Sequence, residues 1–411
     1  MVTPTPSNPS KPLGVWLFGA RGGLATTVVT GARALARGLR EPQGLLTETE
    51  LCKGLPLAPV GKLVFGGHEI RKGTLAESAA EIHERSGTLP PELVKPLRAD
   101  LRKVDRATRR GCLVNAGRTI TSLADSDRHD KEPLRQQLER ITADLRSFLE
   151  ANRLQRMVCV NLTSTEPKLD LGSAHASLRE LDRAIDRNRT SLVRPSTLYA
   201  YAAASLGLPY VHFTPSNSAL VPAVRELFER NGAPYVGCDG KTGETLVKSA
   251  LAPMFRYRNL RVLTWQGYNI LGDRDGVVLS QPENKQSKVA TKDALLPQIL
   301  GYPLHTHVGI DYVPSLHDWK TAWDFVHFEG FLGTRMSMQF TWQGNDSILA
   351  APLVLDLVRL ADLAQRTGVR GPLHQLACFF KQPIGTPEHD LHKQWHMLVH
   401  WLQETRKGHA G

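Results

Sequence analysis

The sequence predicts an α/β fold in which a Rossmann-like nucleotide-binding domain is interrupted by a strand-rich α+β domain. Three observations carry that expectation. Short apolar runs alternate with amphipathic stretches, the rhythm of a mostly parallel sheet covered by helices. A glycine-rich turn, Gly19-Ala20-Arg21-Gly22-Gly23, falls between the first apolar run and the first amphipathic stretch. After about Thr245 the apolar runs lengthen and alternate, as strands of an open mixed sheet with one covered face do.

Each element follows from its local pattern. Met1 to Pro12 is rich in Pro, Ser and Thr and reads as a tail; residues 1–12 are set aside. Leu13–Gly19 is a buried strand, followed by the turn and a helix to about Arg40. Lys62–Gly66 is the next strand, and 71–130 reads as helical pieces and loop. Leu134–Asn152 has helical spacing, Met157–Asn161 is a strand, Thr197–Leu206 a helix and Tyr210–Phe213 a strand. Ser218–Asn231 is a helix with Leu220, Val221, Val224 and Leu227 on its apolar face, and Tyr235–Cys238 is a strand. These elements assign residues 13–245 to the first domain. Leu260–Gly267, His305–Tyr312 and Thr334–Trp342 are the strands of the second, 246–349. From Asp346 helical packing returns, and 350–411 is expected to rejoin the first domain.

Composition narrows the class. The 411 residues are 41% hydrophobic and 22% charged, too apolar for a disordered chain and too charged for a membrane protein. No run approaches the eighteen or so apolar residues of a membrane span. Five dispersed cysteines without a CxxC spacing point to a reducing cytoplasm, not to disulfides or structural zinc. The net charge of +11 is spread among acids, with no basic run interleaved with aromatics, so nucleic acid is not expected as a partner. Such a balance fits a solvated surface, and it also permits a site for small anions.

Glycines in a strand-to-helix turn let a pyrophosphate approach the helix N-terminus, and NAD is the expected cofactor. A tight turn needing positive φ would select the same residues. Arg21 stands where a middle glycine is usual; its guanidinium either pairs with a phosphate or crowds it. The next strand ends in Gly67-His68-Glu69. A carboxylate there suits a ribose diol and repels the extra phosphate of NADP, although the interval is about twice the usual twenty residues. An exposed acid at a strand end is the plainer alternative.

The densest chemistry begins at Asp239. Asp239-Gly240-Lys241-Thr242-Gly243 leads into a helical stretch ending Lys248-Ser249; then come Gly267-Tyr268-Asn269 through Asp275-Gly276, and Lys288 with Lys292 four apart. His317-Asp318-Trp319-Lys320, Asn345-Asp346-Ser347 and Lys381-Gln382-Pro383 follow. Together these resemble the myo-inositol-1-phosphate synthase family. Its D-x-K-[ST]-G-x-T-x-x-K-S corresponds to Asp239–Ser249, its S-Y-N-H-L-G-N-N-D-G to Gly267–Gly276 and its K-x-x-x-K to Lys288 and Lys292. Its G-D-S-K corresponds to His317–Lys320, its D-S-L-L-A-A-P to Asp346–Pro352, and a Lys-x-Pro to Lys381–Pro383. The likeness runs from about Gly14 to Pro383.

The resemblance implies a cytoplasmic homotetramer of inositol and phospholipid biosynthesis. Its reaction is an NAD-dependent, redox-neutral cyclisation of glucose 6-phosphate, through oxidation, enolisation, intramolecular aldol closure and reduction. It implies that Lys288, Lys320, Lys381, Asp239 and Asp275 carry the chemistry. Asn269, Lys292 and Lys241 would hold substrate. Gly19, Ala20, Arg21, Gly22, Glu69, Thr163, Ser164, Thr242, Asp318 and Asp346 would hold NAD, and the strand-rich domain would serve catalysis and oligomerisation. No residue is assigned to a metal, and an activating ammonium or divalent cation is left open.

Such chemistry suits the residues. A lysine of lowered pKa can take a hydroxyl proton, and several ammoniums in a water-poor site stabilise enolate and alkoxide. Taken singly, each lysine is most often a solvated surface group. The family's T-A-N-T-E appears as Leu162–Glu166, its N-G-S-P-Q-N-T as Phe213–Ser218 and its G-N-N-D as Gly272–Asp275. These departures keep open a cyclase for another sugar phosphate and a net sugar-phosphate dehydrogenase. A basic protein that merely retains a nucleotide fold is a third alternative. His392, His396 and His400 share one helical face with His389 nearby, a spacing that suits a metal but more commonly marks surface histidines.

Overall fold

The computed structural model describes residues 9–125, 132–272 and 295–408. Its larger sheet has seven strands: β1 Leu13–Phe18, β2 Leu63–Glu69, β3 Thr108–Arg110, β4 Met157–Asn161, β5 Tyr210–His212, β6 Pro234–Gly237 and β11 Gly371–Pro372. They lie in the order β11-β6-β5-β4-β1-β2-β3, every neighbouring pair parallel. That order reverses direction between β1 and β4, which opens a crevice at the carboxyl ends of those strands.

β1 shows why both faces must be covered. Its alternation sends Val15 and Leu17 into one core with the Gly23–Ala36 and Asp346–Arg366 helices. Trp16 and Phe18 enter a second core with the Leu134–Ala151 and Pro195–Ser205 helices. Each strand residue is therefore apolar, as a doubly covered parallel strand demands. Two glycines make the close packing possible. A Cβ on Gly67 of β2 would lie 2.1 Å from the Leu17 carbonyl oxygen, and Gly19 sits at φ +88° with its would-be Cβ 2.9 Å from the Leu162 oxygen.

The second sheet holds β7 Arg261–Leu271, β8 His305–Tyr312, β9 Trp319–Glu329 and β10 Arg335–Asn345, in the order β10-β9-β7-β8. β7 and β8 are parallel; β9 is antiparallel to both its neighbours. Trp265 and Val326 face inward onto Phe255 of the Gly243–Tyr257 helix and Leu296 and Ile299 of the Leu295–Leu300 helix. From β10 the chain passes directly into the Asp346–Arg366 helix, whose Val354, Leu357 and Val358 are buried in the core shared with β1. Among the described residues no helix is long and apolar enough to cross a membrane.

Several expectations need correction. β9 was not anticipated, because its inward positions include Lys320 and Asp324 while Trp323 and Phe325 point outward, inverting the usual alternation. The interval after Arg71 contains the strand β3 besides its helices, and β7 continues to Leu271. The helix expected from Ser218 begins at Pro222, since proline, lacking an N–H, suits a first helical position.

At the end of β5, burial pushes the His212 imidazole down to about 3; the charge of Arg225 adds to this, and backbone around Ser216 and Thr214 offsets part of it. The unfolded chain therefore binds a proton there near pH 6.5 that the folded chain refuses. Stability supplied by neutral His212 is complete above about pH 6.5 and declines toward pH 3, by up to about 1.4 kcal/mol per pH unit. Urea unfolding between pH 7 and 4 should show a shallower acid decline in His212→Asn than in the unaltered protein.

Candidate active site

A cleft enclosing about 280 Å³ opens at the carboxyl ends of β1, β2, β4, β5 and β6. Its walls include Gly19, Arg21, Gly22, Glu69, Thr163, Ser164, Thr242, Asp318 and Asp346, nine of the ten residues expected to hold a dinucleotide. Ala20 lies beside it, fully buried, with its amide donating to the His68 carbonyl.

The glycine-rich turn uses its own amides internally. Gly19 N and Ala20 N both donate to the His68 carbonyl at 2.9 and 3.0 Å, Arg21 N to Glu69 Oε2 at 2.7 Å and Gly22 N to the Gly19 carbonyl at 3.1 Å. The first turn of the helix that starts at Gly23, which no side chain caps and no acid occupies, is where an anion could be held. The Arg21 guanidinium is directed away from that turn: Nε meets Asp105 Oδ1 at 3.1 Å and Nη1 donates to the Arg71 carbonyl. Glu69 is not an exposed acid; it is 4% exposed, and its other oxygen accepts from Ile70 N and Arg71 N. The uncapped helix, the turn that excludes a Cβ at Gly19, and an acid at the end of β2 together fit a dinucleotide.

Asn161 ties the loops after β4 and β5: its Oδ1 accepts from Thr163 Oγ1 at 2.8 Å and its Nδ2 donates to Thr214 Oγ1 at 3.1 Å. Behind them Glu166 accepts from Ser196 N and Ser196 Oγ at 2.8 and 2.5 Å, at the first turn of the Pro195–Ser205 helix. Burial raises its carboxyl to about 7 despite those bonds.

Two ion pairs border the cleft. Residues 238–240 pair with 380–382 in antiparallel fashion, which sets Lys381 Nζ 2.9 Å from Asp239 Oδ1. Asp239 Oδ2 is buried with no hydrogen-bond partner among the described residues. Asp346 accepts from Thr242 Oγ1 at 3.0 Å and lies 3.6 Å from Lys320 Nζ. Asp318, just before β9, is held above the usual carboxylate range by burial, with Arg85 opposing that shift. Trp319 beside it donates to the Ser86 carbonyl, joining β9 to the Leu75–Ser86 helix.

Other expected residues sit elsewhere. Asn269 is buried on the inner face of β7, its Nδ2 3.4 Å from the Gly309 carbonyl. Lys241 is not brought to the cleft: its ammonium is buried against Gln394 Oε1 at 2.6 Å, and burial lowers it to about 8. Asp275, Lys288 and Lys292 lie outside the described residues. A buried cluster escaped the sequence reading altogether. Lys248 Nζ lies 2.6 Å from Glu244 and 3.4 Å from Asp324, which also accepts from Trp265 Nε1 at 2.7 Å. Only the four-residue spacing of Glu244 and Lys248 hinted at it.

Residues 13–403 match the family described as myo-inositol-1-phosphate synthase. The inositol-3-phosphate synthase 1 of Bacteroides thetaiotaomicron is 35% identical over 420 residues, covering 95% of either chain. The inositol-3-phosphate synthase of Spirodela polyrhiza is 30% identical over 76% of this chain and 62% of its own. In fold, the crystal structure of inositol-3-phosphate synthase from Caenorhabditis elegans superposes with a TM-score of 0.87 at 24% identity, over 97% of this chain and 86% of that one.

Hydrogen bonds to a charged group contribute about 1.5–3 kcal/mol each. Removing the Glu69 carboxylate should therefore weaken NAD roughly 10- to 100-fold. Calorimetric titration of Glu69→Ala with NAD checks this; an unchanged Kd would separate Glu69 from the cofactor.

Proposed function

The chain belongs to the myo-inositol-1-phosphate synthase family and is an NAD-dependent isomerase that cyclises glucose 6-phosphate to inositol phosphate, and we propose how its residues divide the work. The observation that carries the assignment of roles is the pairing of Lys381 with Asp239 and of Lys320 with Asp346, whose acids both line one cleft beside an uncapped helix N-terminus.

Bound NAD supplies reversible hydride acceptance, so the sugar leaves with no net change in oxidation. Gly19, Gly22 and the first turn at Gly23 would admit its pyrophosphate, Glu69 its adenosine ribose, and Thr163, Ser164, Thr242, Asp318 and Asp346 would line the remainder. Ala20 and Arg21 contribute by shaping the turn. Asp239 Oδ2 offers an acceptor to a substrate hydroxyl, while Lys381 holds the other oxygen. Lys320 and Lys381 place fixed positive charge where an enolate or alkoxide develops, and burial makes each charge count for more than in water. Lys288 and Asp275 would join them, and Asn269 and Lys292 would hold substrate oxygens and phosphate. Lys241, buried against Gln394, acts from behind by fixing the loop that carries Asp239 and Thr242.

The reading extends to a homotetramer in the cytoplasm. The outer face of the second sheet supports the assembly: its central positions on β7, β9 and β10 (264–270, 321–327 and 337–343 in steps of two) carry no formal charge. Tyr268 and Trp323 are 42% and 39% exposed there. Depletion of charge with enrichment in aromatics marks the centre of an interface.

Phosphorus NMR and absorbance at the NADH band, with glucose 6-phosphate and catalytic NAD, test the reaction. Inositol phosphate without accumulating NADH is expected. Stoichiometric NADH would assign a dehydrogenase, and absence of product would assign another substrate. Lys381→Ala should lower turnover roughly 10²–10⁴-fold and leave the NAD Kd within about twofold, since its loss removes charge at the reacting atoms. For the assembly, light scattering should give the tetramer mass for the unaltered protein and a smaller mass for Trp323→Asp; equal masses would remove this face from the interface.

A further inference from the structure

His68 lines the cleft and its carbonyl holds the glycine-rich turn, although the reaction gives its ring no task. It is fully buried at the end of β2. Its carbonyl accepts two consecutive amides of the glycine-rich turn, from Gly19 and Ala20. The residue after it, Glu69, accepts a third amide of that turn, from Arg21.

Its ring is held with equal economy. Trp16 Nε1 of β1 donates to His68 Nδ1 at 2.9 Å, and His68 Nε2 lies 3.0 Å from Asp144 Oδ2 on the Leu134–Ala151 helix. An indole N–H can only donate, so Nδ1 must be the acceptor and the ring proton must sit on Nε2, directed at Asp144. Phe18 stacks on the ring at 5.6 Å and 3°, and Tyr199, a wall of the cleft, at 5.7 Å and 17°. Four contacts from three elements therefore leave the imidazole one orientation and one tautomer. Because ring and carbonyl share one Cα, they also fix where the turn's amides attach.

We propose that His68 is a positioning residue for NAD, with Trp16–His68–Asp144 as the relay that sets the glycine-rich turn and Glu69. The proposal rests on NAD use at this cleft. A second proton, on Nδ1, would set N–H against N–H at Trp16, so acidification uncouples the relay. Burial holds the ring below its ordinary value; Asp144 favours the proton, and Arg140 and Arg109 oppose it.

The test is NAD binding by calorimetric titration, with turnover measured separately. Asp144 is partly exposed at 21%, so its variants keep the core intact. Asp144→Asn retains an acceptor for Nε2–H and should bind NAD within about twofold of the unaltered protein at pH 7.5. Asp144→Leu retains none and should raise the Kd about tenfold, with kcat at saturating NAD and the KM for glucose 6-phosphate unchanged. His68→Phe keeps the stacking and should raise the Kd at least as far. Below pH 6.5 the unaltered protein should lose NAD affinity, and Asp144→Asn should lose it at lower pH, because the charge that favours His68 protonation is gone. Equal Kd for Asp144→Leu and the unaltered protein would overturn the proposal, as would a fall in kcat at unchanged Kd. Failure of the unaltered protein to bind NAD would instead overturn the cofactor reading beneath it.

Discussion

Asp239 and Lys381 meet at 2.9 Å although 142 positions separate them, and much of the chain's path serves that meeting. Between them the chain leaves the large sheet, forms all four strands of the second, and returns along the Asp346–Arg366 helix and β11. β11 adds beside β6, and the segment after it pairs its backbone with 238–240. The side chains do not have to find each other; the main chain delivers them in register. The same arrangement brings Asp346 to the cleft at a helix start, directly after β10, and Lys320 to it near the start of β9.

Burying charge imposes the same discipline elsewhere. An unpaired ion in the interior costs several kcal/mol, so most buried cations in the described core meet an acid, while Lys241 and Arg194 meet neutral oxygens instead. Arg156 meets Asp362, which also receives Arg366; Arg359 meets Glu48; Lys248 sits between Glu244 and Asp324. The last cluster holds more acid than base, and burial raises Asp324 to about 6 in spite of Lys248 and the Trp265 N–H. It stands beneath Gly267, where any Cβ would meet Glu244 at 2.3 Å. A glycine that looked like part of a substrate motif is thus required by packing of charge under the sheet.

What the sequence disclosed and what it withheld have physical reasons. The buried strands β1, β2, β4, β5 and β6 were legible because both their faces are apolar, and the nucleotide turn because its glycines stand at a strand-to-helix junction. β9 was hidden by an inner face that carries Lys320 and Asp324. The resemblance assigned Asp239 and Lys381 to one site, but their pairing was not legible, since a contact across the whole second sheet leaves no local trace. Lys241 shows the reverse failure: its place in a motif suggested contact with substrate, while its neighbour Gln394, far along the chain, decides its surroundings. His68 left no signal because its importance lies in a carbonyl and a tautomer, neither of which a sequence displays.

The net charge of +11 also changes meaning once the pairs are followed. Arg21 faces Asp105, Lys320 faces Asp346 and Lys381 faces Asp239, so three cations around the cleft already have acids beside them. An incoming phosphate that draws a lysine toward itself leaves that lysine's carboxylate in need of another donor. Asp346 has one in Thr242, and Asp105 in the Leu75 amide. Asp239 is different, because its second oxygen has no partner among the described residues even before a ligand arrives. On the proposed division of roles, a ligand carrying hydroxyl donors as well as an anion would satisfy both the cations and Asp239. A phosphorylated polyol would offer several hydroxyl donors to Asp239 while its phosphate engages the cations. On that division of roles, selectivity for a sugar phosphate would rest as much on an unsatisfied acid as on the lysines.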